Sequence, residues 1–271
     1  MLKYLLAISL LIPLLCYAQD GDYTLGASNS AMADASVATV NNWSLFNNPG
    51  AAGNLEHTSI MVSYQNRYNI EGFHVIGGGA IVHQKWVNIG VRYFKFGDDL
   101  FNQQMVGLSF SNKLQMVSLG AGINVIQTHT EGLKDDRVWV GEFGGLAQIT
   151  NKISFGAHIF NFKHGVEYPT TMKAGLRVSP LENIGLNGEV QKQLEQREIY
   201  KVGLEYELLE FLILRTGVNL QGVEDKSRTN TNAAFGFGLN TTGFLMDYSF
   251  NSGELGAIHE ISLSISFGDV E

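Results

Sequence analysis

From His57 onward, apolar and polar residues alternate one by one in runs of about 8 to 12 positions, each run closed by a cluster of turn-forming residues. The last run shows it most clearly: Ile261, Leu263, Ile265 and Phe267 interleave with Glu260, Ser262, Ser264 and Ser266. Val87, Ile89, Val91 and Tyr93 split in the same way from Asn88, Gly90 and Arg92, as do Tyr200, Val202, Leu204 and Tyr206 from Lys201, Gly203 and Glu205. Successive side chains of a strand leave opposite faces of a sheet, so each run predicts a strand with one greasy and one polar face.

About fourteen such strands are predicted, at 57–66, 72–83, 85–96, 101–112, 115–128, 138–150, 153–162, 170–178, 183–191, 197–208, 211–220, 231–240, 243–250 and 258–267. Connections after even-numbered strands are short, and those after odd-numbered strands are mostly longer and more polar. This parity belongs to a transmembrane, antiparallel, up-and-down β-barrel with short periplasmic turns, long outer loops and both termini in the periplasm. A soluble β-sandwich also alternates, but it has no reason to sort its loops by parity. Tyr64, Tyr93, Phe110, Trp139, Tyr200, Tyr206, Phe244 and Tyr248 fall near strand ends on the apolar faces, where aromatic girdles meet the two membrane interfaces. Leu263 then faces lipid and Ser264 a wet interior.

Ahead of the strands, Lys3 and the apolar run from Tyr4 to Cys16 end in Cys16-Tyr17-Ala18, which predicts a secretory signal peptide over residues 1–18. Cys16 as a lipidated residue is disfavoured by Leu15, where a small residue is wanted. Cys16 is the single cysteine, so the exported chain is left without a disulfide or a thiolate ligand. No later window holds the ~20 apolar residues of a membrane helix, so membrane embedding has to use strands. With 16% charged residues and a formal net charge of -8, the chain lacks the basic surface that nucleic acid requires. Export and an apolar barrel exterior together place it in the bacterial outer membrane, with lipid as its first partner.

Residues 19–56 lack sustained alternation and are rich in Ala, Asn, Ser and Gly, which predicts a compact segment of turns and short helix ahead of a barrel over 57–267 and a periplasmic tail at 268–271. Within it, Leu25-Gly26-Ala27-Ser28-Asn29-Ser30-Ala31-Met32-Ala33-Asp34 leads to Trp43-Ser44-Leu45-Phe46-Asn47-Asn48-Pro49-Gly50-Ala51-Ala52. This stretch resembles the N-terminal region of the FadL-like barrels and of their relatives PorV and PorQ in the type IX secretion system. The resemblance implies a plug in the periplasmic mouth, marked by Trp43, Phe46, Asn48, Pro49 and Gly50. It implies either an accessory role in protein secretion, with secretion-system proteins or secreted cargo as partners, or passive transport of a small hydrophobic ligand. On turn chemistry alone, the same Pro-Gly pair also fits an ordinary turn into the first strand.

The polar faces carry two further features. Arg92, Lys173, Arg177, Glu189, Lys201, Glu205, Arg215, Asp247 and Glu260 point into the predicted lumen, where opposite charges on neighbouring strands can pair. They form either a salt-bridged, solvated wall or a binding site. Gly77, Gly78 and Gly79 weaken the second strand and suit either a kink opening sideways to lipid, as in FadL-like barrels, or room for the plug. No enzyme is indicated: the seven His are scattered, with no His-Glu-x-x-His and no Gly-x-Ser-x-Gly, and His158 near Ser154 lacks a third member. Asp98-Asp99 and Asp135-Asp136 have no calcium-ligand spacing, so neither metal nor cofactor is expected. The short outer connections favour docking of proteins over lipid capture, and the assignable lumen residues, being mostly polar, point the same way.

Overall fold

The computed structural model describes residues 23–162, 168–194, 196–222, 229–253 and 255–268. The predicted signal peptide, residues 19–22 and most of the predicted C-terminal tail lie outside them. The strands are β1 (Thr58–Arg67), β2 (His74–Val82), β3 (Asn88–Gly97), β4 (Phe101–Leu114), β5 (Val117–Thr130), β6 (Asp136–Thr150) and β7 (Ile153–Phe160). The second half holds β8 (Thr171–Leu181), β9 (Ile184–Gln193), β10 (Ile199–Leu209), β11 (Leu212–Gly222), β12 (Thr229–Thr241), β13 (Phe244–Gly253) and β14 (Gly256–Phe267). Every strand pairs antiparallel with its neighbours in sequence, and β1 closes on β14 through ten paired positions from Thr58↔Phe267 to Arg67↔Ile258. Closure removes the sheet edges that no membrane tolerates.

Alternation becomes a two-sided wall. On β1, Ile60, Val62 and Tyr64 are exposed on the outside while Ser59, Met61, Ser63 and Gln65 are buried within. Seven of the eight predicted girdle aromatics are exposed on the exterior, and Tyr248 is half-buried there beside Phe237 and His259. Two-residue turns at 115–116, 151–152, 182–183, 210–211 and 242–243 mark one rim, and mostly longer connections the other. The turn between β2 and β3 is longer than expected, spanning 83–87, because the His83 ring bonds Asn88 Oδ1 at 2.8 Å and its backbone N–H bonds Thr58 Oγ1. These side-chain bonds compete with the ladder and end both strands early.

The chain from Tyr23 to His57 runs through the lumen, from the long-loop half at Tyr23 to the short-turn rim at His57. It forms three single-turn helices, α1 (Ala27–Ser30), α2 (Ser44–Asn47) and α3 (Pro49–Ala52). Extended Asn48 caps α3, its Oδ1 accepting from Gly50 N at 2.9 Å, with Pro49 at the first helical position, where a missing N–H costs nothing. The wall meets α3 at glycines: a Cβ on Gly50 would lie 2.5 Å from backbone atoms of Gly144 and Gly145. At Gly26, φ of +106° and the Trp43 ring directly above leave no room for any side chain. Leu25, Trp43, Leu45 and Phe46 are all buried, each worth roughly 1.5–3 kcal/mol against exposure to water.

Ser264 is only 2% exposed because the lumen behind it is filled, so an arginine there meets packed protein and is not the mild change that alternation implies. Leu263→Arg, on the lipid face, is expected to cost about 2–4 kcal/mol of unfolding free energy near the bilayer centre. Asp99→Arg, in an exposed connection, should stay within about 0.5 kcal/mol. Urea titration of vesicle-folded protein measures both, and native-like stability of Leu263→Arg would contradict the face assignment.

Candidate functional site

The inward charges separate into five groups, each with partners that alternation alone does not reveal. On β3, Arg92 forms an ion pair with Glu142 of β6, donates to Asn124 Oδ1 at 2.8 Å and to Leu45 O at 2.5 Å, and lies 5.8 Å from the Phe46 ring centroid. His158 Nε2 sits 3.1 Å from the other oxygen of Glu142. Lys201 pairs with Glu189 at 3.1 Å and donates to Gln191 at 2.7 Å, and Glu189 accepts the backbone N–H groups of Ser36 and Val37 at 2.9 and 2.8 Å. Arg177 and Arg215 share Glu205, each at 2.7 Å, and Arg215 reaches Asp247 at 2.7 Å. Glu260 accepts from Gly26 N at 2.8 Å, Ser63 Oγ at 2.6 Å and Gln65 Nε2 at 3.1 Å. Lys173 Nζ donates to Thr24 Oγ1 at 2.6 Å. Most of these groups are buried, so the solvated lumen expected from sequence is a packed one, with the chain itself occupying the water's place.

The long-loop half of the lumen is different in kind. Val75, Phe94, Met105, Ile126, Val140 and Phe160 point inward from β2 to β7 and form one apolar cluster with Tyr23, Leu25 and Phe46. This packed cluster, which continues into Trp43, Leu45, Met61 and Ile81, corrects the view of the lumen as mainly polar. Its signal lies in stretches apolar on both faces, Tyr93-Phe94, Val125-Ile126, Val138-Trp139-Val140 and Ile159-Phe160, where alternation weakens. Beneath it a cavity of about 20 Å³, room for a single water, is bordered by Arg92, His158, Thr171 and Lys173. His158 Nδ1 and Thr171 Oγ1 are buried there without hydrogen-bond partners.

Gly77, Gly78 and Gly79 lie in unbroken ladders, from Ser59↔Ile81 to Asn66↔His74 on one side and from Val75↔Phe96 to Val82↔Ile89 on the other. No register shift bends the strand. Instead Gly77 receives the tip of Leu25, and a Cβ on Gly79 would lie 2.7 Å from Leu45 Cδ2. The run is a recess for the segment, and a sideways kink is not what the pairing forms. At the short-turn rim, a cavity of about 570 Å³ lies between Val40–Asn42, His57 and the ends of β12 and β13. His57 Nε2 is 2.9 Å from Asn42 Oδ1, and burial, followed by the charge of His83, lowers its pKa.

Phe46, Asn48, Pro49 and Gly50 meet the wall, while the Trp43 ring packs on Gly26 and Phe46 within the segment. Asn48 Nδ2 donates to Val37 O at 2.7 Å and to Gly145 O at 3.1 Å. A Cβ on Gly144 would collide with Asn48 Oδ1 and lie 3.0 Å from Gly50 N, whereas one on the outward Gly188 meets nothing within 4 Å. Gly144→Val should therefore expel α3, costing about 1–3 kcal/mol and exposing the segment to added protease, while Gly188→Val leaves it protected. Protection of both variants would contradict this packing.

The sequence matches no family model and no curated protein. Solved structures do resemble it. The CymD monoaromatic hydrocarbon channel superposes with a TM-score of 0.72 at 12% identity, over 92% of this chain and 99% of that one. The Pseudomonas putida toluene transporter TodX gives 0.73 at 11% identity, over 92% and 100%. A Pseudomonas aeruginosa FadL homologue gives 0.70 at 11% identity, over 91% and 100%. At such identities the likeness is one of fold. The chain is an outer-membrane β-barrel with the fourteen-strand architecture of the FadL-like channels.

Proposed function

We propose that this barrel is a passive route for small hydrophobic compounds across the outer membrane, and that residues 19–56 are its plug. The observation that carries the reading is the apolar lining that Phe94, Met105, Ile126, Val140 and Phe160 give the long-loop half of the lumen, a chamber filled here by Tyr23, Leu25 and Phe46. A wall that only held a plug by charge would not need it, whereas an apolar lining with a few convergent polar groups suits an apolar ligand once the segment shifts. Hydrocarbon and toluene channels share the architecture, which supports the same reading. The role of secretion accessory rests on the Asn48-Pro49-Gly50 stretch and the short outer connections, and the chamber gives it no support.

In this reading the ligand enters from the long-loop rim into the chamber, and the segment must shift before it can pass further. The buried polar floor at Arg92, Glu142 and His158 keeps water and ions from following. The cavity beside Val40–Asn42 offers the departing compound an axial way to the periplasm.

Expression in the outer membrane of a host without such a channel should raise whole-cell accumulation of labelled toluene several-fold over the empty host. Ile126→Asn, which sets an amide in the chamber wall, should return uptake towards the background, provided that the variant is inserted in equal amount. Uptake equal to that of the empty host would overturn the transport reading, and co-purification of exported proteins would then favour the accessory role.

A further inference from the structure

The chamber already holds a ligand-like group. Tyr23, the outermost described residue of the segment, places its ring 5.1 Å from Phe94 in an edge-on arrangement at 82° and 5.3 Å from Phe160 at 45°. Its hydroxyl donates to Gln103 Oε1 at 2.9 Å. The Gln103 amide is oriented from behind, with Nε2 directed to Thr128 Oγ1 at 3.5 Å, and that hydroxyl also lies 2.6 Å from the hydroxyl of Tyr168. Apart from Tyr23 itself, each of these named groups belongs to the wall or to the connection after β7.

We infer that the place held by Tyr23 is a seat for a para-substituted monocyclic phenol, with Gln103 as the residue that reads its hydroxyl. The inference rests on the transport reading and narrows its substrate class. Cut at the Cα–Cβ bond, the tyrosine side chain is p-cresol, so the wall is shaped for that molecule in ring size, edge contacts and hydrogen bond. A phenol stays protonated up to pH ~10 and can donate to Gln103 throughout the neutral range. Toluene has the same ring but would leave the half-buried Gln103 carbonyl without this donor, and a site built to bond a hydroxyl discriminates against analogues that lack it. Deeper ties hold the segment independently of the ring: Glu260 accepts from Gly26 N, and Asn47 Oδ1 from Leu25 N at 3.3 Å. The ring can therefore be exchanged for a free phenol without undoing them.

The test is calorimetric titration of p-cresol and of toluene into the full chain in detergent micelles, with empty micelles as the blank. The native chain should bind p-cresol, and Tyr23→Ala, which removes the internal competitor, should bind it roughly tenfold more tightly. In Tyr23→Ala, p-cresol should exceed toluene by up to roughly tenfold, the worth of one hydrogen bond. Adding Gln103→Leu should abolish that preference while leaving toluene binding in place. Binding by Tyr23→Ala without any by the native chain would reduce the seat to a cavity made by the substitution and overturn the inference. Equal preference with and without Gln103 would overturn it as well. Whole-cell toluene uptake separates the two claims: uptake without phenol binding removes the seat alone, and phenol binding without uptake removes the transport reading.

Discussion

Pro49 and Gly50 lie against Gly120 and Gly144 with no side chain between them, and the filled lumen depends on that approach of one backbone to another. A barrel wall normally turns half of its side chains inward. Here, inward glycines at 77, 79, 120, 144, 156, 203, 217 and 236 leave a trough along which the chain from Leu25 to Gly53 can lie. Gly203 and Gly217 make room for Met32, Gly236 for Ala31 and Gly156 for Val37. These inward glycines are thus a steric requirement of the interior.

Once the backbone is that close, its unpaired N–H groups need acceptors, and the wall supplies them as carboxylates. Glu189 takes Ser36 and Val37, and Glu260 takes Gly26. Each carboxylate also bonds a wall partner, Lys201 in one case and Ser63 with Gln65 in the other, so the charge is shared between barrel and segment. Buried pairs of this kind add little net stability, but loss of one partner costs about 3–5 kcal/mol, so they fix a register. The segment is held in one place by directional bonds and filled in by apolar side chains.

The strand count, the parity of the loops and the outward girdle were legible because a period of two carries them and a slip of one residue reverses every face. The nine inward charges were legible for the same reason. Their partners were not. Glu142 and Asn124 sit on strands whose neighbours are apolar or glycine, and nothing in the pattern links them to Arg92, up to fifty residues away. The apolar cluster is not legible because it interrupts the alternation: Phe94 and Val140 are inward residues that look outward by composition. The triple glycine was read in two ways, and only the position of Leu25 and Leu45 tells a recess from a bend.

These interactions describe a barrel whose lumen is blocked by packing, with an apolar cluster on one side of the block and a cleft on the other. The central claim is that the segment occupies the path itself and does not merely lie beside it. Single-channel conductance in planar bilayers tests this most directly, comparing the native chain with one lacking residues 23–48. The account predicts a native barrel that is almost silent and a shortened one that inserts equally well and conducts steadily. Equal conductance from the two would contradict it.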